Sequence, residues 1–146
     1  MKKLILLSTL FSAAFLFYAC GSDDESSDDV TDYSYHAHVQ MPTTEDKHVN
    51  DTMHIHVDFE SHTGETVHHI NVTIKNKADG TVIYNEPGDA HVHATSGEHG
   101  YHDDFILSNV NKVEGHTDWI LEAKVWGHEE GEGEAIEAVE FHVHPE

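Results

Sequence analysis

Two stretches of this chain alternate apolar and polar residues without a fault: Met53-His54-Ile55-His56-Val57-Asp58-Phe59-Glu60 and His69-Ile70-Asn71-Val72-Thr73-Ile74-Lys75. Successive side chains of a β-strand point to opposite faces, so a period of two gives each stretch one dry face and one wet face. A helix needs its apolar residues every three or four positions, and no helix-length segment here has them. Shorter stretches of strand character fall at 33–39, 81–84, 91–94, 103–108, 119–126 and 138–144. Turn-forming residues separate them. Asp79-Gly80 supplies the positive-φ position of a hairpin, Asn85-Glu86-Pro87-Gly88-Asp89 is a turn cluster, and 127–134 is a glycine-rich acidic loop joining the last two strands. Seven to eight short strands predict an all-β domain, an immunoglobulin-like antiparallel β-sandwich. Its buried face is expected to hold Ile55, Val57, Phe59, Ile70, Val72, Ile74, Leu121, Ala123, Val125, Val139, Phe141 and Val143. Trp119 shares the phase of Leu121, so it belongs to the core, while Trp126 lies on the other phase.

The first residues have a different logic. Met1-Lys2-Lys3 is a short positive segment, and an apolar run follows from Leu4 to Phe17. About 14 residues fall short of the ~20 that a permanent membrane helix requires, so 1–19 reads as a signal peptide. The run closes on Phe17-Tyr18-Ala19-Cys20, with a small residue before the single cysteine of the chain. This resembles the lipobox of bacterial lipoproteins, with Phe17 where Leu is usual, and the resemblance implies that Cys20 is lipidated and becomes the new N-terminus. Residues 20–32 carry an acidic stretch with little to bury and read as a disordered tether, leaving 33–146 as one domain. An acidic run behind the lipidated cysteine also resembles a surface-export signal. The expected location is therefore lipid-anchored at the outer membrane or cell surface, with a periplasm-facing placement as the alternative.

Charge narrows the partners. Removing Lys2 and Lys3 leaves five lysines and no arginine against 28 carboxylates, a formal charge of −23 with histidine neutral. Nucleic acid is excluded on electrostatic grounds and cations are favoured. The chain also has 16 histidines, all after Cys20.

Four histidine pairs share one spacing: His36-Ala37-His38, His54-Ile55-His56, His91-Val92-His93 and His142-Val143-His144. On a strand, residues i and i+2 share a face about 6.5–7 Å apart, so each apolar middle residue turns inward and both histidines turn outward. Two imidazoles so placed can converge on one metal at the ~2.0–2.1 Å of a zinc–nitrogen bond. If the first two strands pair, His36, His38, His54 and His56 form the leading candidate site, with His142 and His144 on the last strand in reach of the first. A second candidate is the group His91, His93, Glu98, His99, His102, Asp103 and Asp104, read mostly as loop. Imidazole-rich sites suit zinc, copper or nickel.

The residues quoted above, with His102-Asp103-Asp104 before a hydrophobic strand and the two last strands at 118–127 and 135–144, make the chain resemble a family of bacterial lipoproteins with a single immunoglobulin-like domain. The resemblance implies the sandwich and a cell-envelope setting, and no activity. Thr31-Asp32-Tyr33 stands here where members often carry Thr-Lys-Pro.

No catalytic residue is expected. The sequence contains no hydrolase nucleophile motif, phosphate-binding glycine loop or His-Glu-x-x-His. His-Val-His on a β-sandwich is similar to copper–zinc superoxide dismutase, but the cysteine pair and arginine of that family are missing. The reading is a non-enzymatic envelope lipoprotein that binds divalent transition metal for capture, buffering or delivery to an envelope transporter or receptor. Its alternative is an adhesion, carbohydrate- or protein-binding module whose histidines are incidental or sense pH.

Overall fold

The computed structural model describes residues 34–129 and 131–146. The signal peptide expected at 1–19, Cys20, the tether expected at 20–32 and Tyr33 lie outside the described residues. Eight strands follow in order: β1 (Tyr35–Met41), β2 (Lys47–His48), β3 (Thr52–Ser61), β4 (His69–Asn76), β5 (Val82–Glu86), β6 (Glu98–Ile106), β7 (Thr117–Trp126) and β8 (Ala135–His144). They form a three-stranded sheet, β1-β3-β6, and a five-stranded sheet, β2-β8-β7-β4-β5. All described pairings are antiparallel except β2 with β8. The chain crosses between sheets after β1, β2, β3, β5 and β6, and the two sheets make an immunoglobulin-like sandwich.

The alternation explains the layers. In β3, Met53, Ile55, Val57 and Phe59 point inward, and Ile70, Val72 and Ile74 of β4 meet them with Trp119, Leu121, Ala123 and Val125 of β7. Phe141 and Val143 of β8, Tyr35 and Ala37 of β1, and the loop residues Val67, Leu107 and Val113 complete the core. No polar or charged residue is buried among the described residues, so apolar area is the main stabilising contribution, about 1.5–3 kcal/mol per large side chain. Val139, predicted inside, is only half-buried, because β8 protects its inner face toward its C-terminal end. Gly80 takes φ +74° in the turn between β4 and β5, as the Asp-Gly pair requires.

Two expectations need correction, and one strand was not foreseen. Residues 91–94 are not a strand: the chain turns at Pro87–Ala90, Ala90 sits at φ +57°, and only a single bridge joins His91 to His69. Glu98 begins a strand rather than a loop, because β6 pairs with β3 along its whole length, from Glu98↔Glu60 to Ile106↔Thr52. Only one neighbour supports this sheet-edge strand, so its outer face stays polar and the alternation is blurred. The two-residue strand β2 carries no sequence signal at all.

Candidate metal centre

Strand register decides which outward histidines meet. His36 lies opposite Glu60 and His38 opposite Asp58, whereas His54 lies opposite Asp104 and His56 opposite His102. The four imidazoles expected to share one patch are thus divided between two places on the same sheet. His36 stacks on His38 at 6.1 Å and meets His62 edge-on at 4.7 Å, with the Glu60 carboxylate 3.9 Å from His38 and 4.0 Å from His62. His56 and His102 have ring centroids 4.1 Å apart, while His54 Nδ1 is 2.6 Å from Asp104 Oδ1 and His56 Nε2 is 3.3 Å from Asp58 Oδ1.

The group expected to close as a loop is split by β6. His102 and Asp104 join the His54–His56 face. Asp103 accepts a hydrogen bond from Tyr84 Oη, which also bonds Tyr101 Oη, and burial pushes both phenols above their ordinary value. Glu98 pairs with Glu60, and His99 turns to the inner side, where burial holds its imidazole below its ordinary value. His91 lies elsewhere, beside His68 and His69, with His93 next to it.

At the start of β7 and the end of β8, three imidazoles converge. One ring nitrogen from each of His116, His142 and His144 lies within 4.8 Å of the others. Two imidazole nitrogens on one zinc stand about 3.4 Å apart, as bond lengths of ~2.0–2.1 Å require, so closing the triad takes about an ångström and small side-chain rotations. His142 and His144 are the outward pair of the last strand. His116 was absent from the sequence-based candidates, being a lone histidine. It holds φ +63° in the turn before β7, its N–H donates to Val143 O at 2.7 Å, and Gly115 beside it is backed against Pro145.

The surroundings orient this triad. Register sets Asp118 opposite His142, with His142 Nδ1 2.7 Å from Asp118 Oδ1. If Nδ1–H donates there, Nε2 is left as a lone-pair donor, the arrangement in which carboxylates commonly hold metal-binding histidines. The same bond holds the Asp118 carboxyl below its ordinary value. His144 Nε2 is 3.3 Å from Asp46 Oδ2, and the His48 ring lies 5.7 Å from the His144 ring. His116 is exposed, so three nitrogens bound to one ion there would leave a coordination position open to solvent.

No family model and no curated protein sequence matches the chain. Among solved structures, it is similar to the CARDB domain of the PF1109 protein from Pyrococcus furiosus, crystallised in complex with di-metal ions. That match has 14% identity and a TM-score of 0.48 and covers 79% of this chain and 94% of that one. A solution NMR structure of the same domain gives 14% identity and a TM-score of 0.48, covering 77% and 94%. The di-metal ions belong to that protein.

Proposed function

We propose that this chain is a non-enzymatic, lipid-anchored protein of the cell envelope. In this reading it binds a divalent transition-metal ion, zinc, copper or nickel, through His116, His142 and His144. The observation that carries the reading is the convergence of three imidazoles with a carboxylate behind one of them. An all-nitrogen, borderline-soft donor set favours these ions over calcium or magnesium. The acidic surface draws cations toward the site, and an exposed third ligand suits an ion that is captured and passed on. Lipidation at Cys20 and a surface or periplasmic placement rest on the lipobox and belong to the same reading.

Calorimetric titration of the purified, tag-free protein with each metal at pH 7.5 and pH 5.5 tests it. Saturable sub-micromolar binding is expected at the higher pH. Imidazoles ordinarily gain a proton near pH 6.5 and must be neutral to bind, so affinity falls at the lower pH. The substitutions H116Q, H142Q and H144Q together remove one equivalent of bound metal. Weak, unsaturable uptake by the wild type at pH 7.5 overturns the reading.

A further inference from the structure

We infer that His68, His69, His91 and His128 form a second transition-metal site, separate from the triad and built from nitrogen ligands alone. Three distant stretches of chain supply them. His68 and His69 enter β4, His91 follows the turn after β5, and His128 lies in the loop between β7 and β8. Backbone bonds clamp these stretches together: Ile70 N–H donates to Ala90 O and Val92 N–H to His68 O, each at 2.9 Å. His69 Nδ1 lies 2.8 Å from Gly127 O and ties the third stretch in. The triad sits at the start of β7 and this cluster at its end, beside Trp126. Nine residue steps of strand put the two about 30 Å apart.

Five of the six ring pairs lie between the tetrahedral and opposed separations of imidazoles around one ion, and side-chain rotation must bring the nitrogens together. A ring bound through nitrogen at ~2.0–2.1 Å has its centroid about 3.2 Å from the metal, so two rings lie about 5.2 Å apart at a tetrahedral angle and about 6.4 Å apart when opposed. Here His69–His91 is 5.3 Å, His68–His128 5.5 Å, His68–His91 6.0 Å, and both His68–His69 and His69–His128 6.3 Å. His93, 4.8 Å from His91, stands as a fifth ring at the rim.

Two further observations point to a ligand. His68 Nδ1 is buried and makes no hydrogen bond, the one such side-chain atom among the described residues. An unsatisfied buried polar atom costs about 1–3 kcal/mol, which a coordinated cation would offset. His69, by contrast, has its Nδ1 occupied by a carbonyl, and when Nδ1–H donates there Nε2 is free to coordinate. No carboxylate contacts any of the four rings in the described structure, whereas Asp118 and Asp46 flank the triad. An all-imidazole set favours copper(II), nickel or zinc over harder ions.

Trp126 reports on the site, since its ring stacks on His69 at 5.3 Å and 14°. The test is copper(II) titration of the H116Q/H142Q/H144Q variant, followed by tryptophan emission. We expect one equivalent to quench the emission, the quench to vanish in an added Trp126→Phe change, and H91Q/H128Q, both at exposed positions, to weaken it at least tenfold with unchanged circular dichroism. Zinc added beforehand in large excess should shift the quench to higher copper concentration. No copper uptake by the triad variant, uptake that leaves Trp126 emission intact, or quenching indifferent to H91Q/H128Q each overturns the second site. None of these results bears on the triad, whose own substitutions are tested against wild type.

Discussion

Gly115 couples the backbone to the His116, His142 and His144 site, and replacing it with alanine tests that coupling. A Cβ built there meets Pro145 N at 2.7 Å, Pro145 Cα at 2.8 Å and Pro145 Cβ at 2.9 Å. Ordinary contact begins at 3.4 Å, so the two segments must part by about 0.7 Å. Two of the three obstructing atoms are backbone, and a rotamer change cannot relieve them. Pro145 is bonded to His144 and Gly115 to His116, so the displacement separates two of the three ligands. The triad already has to close by about an ångström to reach metal-binding distances, and this displacement adds to that gap. We therefore expect Gly115→Ala to weaken zinc binding at the triad by at least tenfold and to cost about 1–3 kcal/mol of stability from overpacking. Calorimetry gives the first quantity and the urea midpoint of metal-free protein the second. Gly88→Ala is the control, since nothing lies within 4 Å of the added carbon. Wild-type affinity and an unchanged midpoint for Gly115→Ala would refute the reasoning, because they would mean that the β8 end and the His116 turn are not held against each other.

Three other outcomes follow from the same geometry. Phe59→Ala, at a fully buried position between the sheets, should lower stability by about 3–5 kcal/mol, and a urea-midpoint change equivalent to less than 1 kcal/mol would show that this ring is not packed as described. Asp118→Asn should weaken metal binding about tenfold or more by loosening the hold on His142, and calorimetry showing equal affinity would remove Asp118 from the site. Because the folded-state value of Asp118 is depressed, its contribution is present above its ordinary 3.8 and lost as pH falls through the lower folded value, so the metal-free Asn variant should lose less stability in that range. His99 is also depressed, by burial, so its contribution is present above its ordinary 6.5 and lost as pH drops below it. In chelator, His99→Gln should flatten the decline in urea midpoint between pH 7.5 and 5.5, and a decline as steep as wild type would clear His99 of that role.

The sandwich was readable where both conditions for a clean pattern held, a strand paired on both sides and packed on one face. The strands β3, β4 and β7 meet both, and their alternation gives the core almost residue for residue. At the sheet edges the pattern fails for physical reasons. The inward positions of β6 include His99 and Tyr101, its outward positions include Gly100, and no strand among the described residues covers its far side. Register was not readable. The loop between β7 and β8 is long, so nothing in its sequence dictates that Asp118 should face His142 rather than a neighbour two residues away. His116 could have been noticed only as the first member of His116-Thr117-Asp118, a histidine and a carboxylate on one phase.

The His-x-His spacing identifies ligands in pairs, yet a pair alone does not make a site. Strand geometry fixes two outward imidazoles on one face and supplies no third. What distinguishes the pairs is the residue that each meets from another part of the chain. His36 and His38 find His62 past the end of β3, with Glu60 close enough to two of the rings to compete for them as an ion-pair partner. His54 and His56 find His102 across the ladder, but Asp104 and Asp58 already engage the pair. His142 and His144 find His116, brought in by a left-handed turn outside the strand, with Asp118 on His142 and Asp46 on His144. The choice among chemically similar clusters thus rests on convergence: carboxylates engage rings in all three, and of the three only His116, His142 and His144 bring one ring nitrogen each within 4.8 Å of the others.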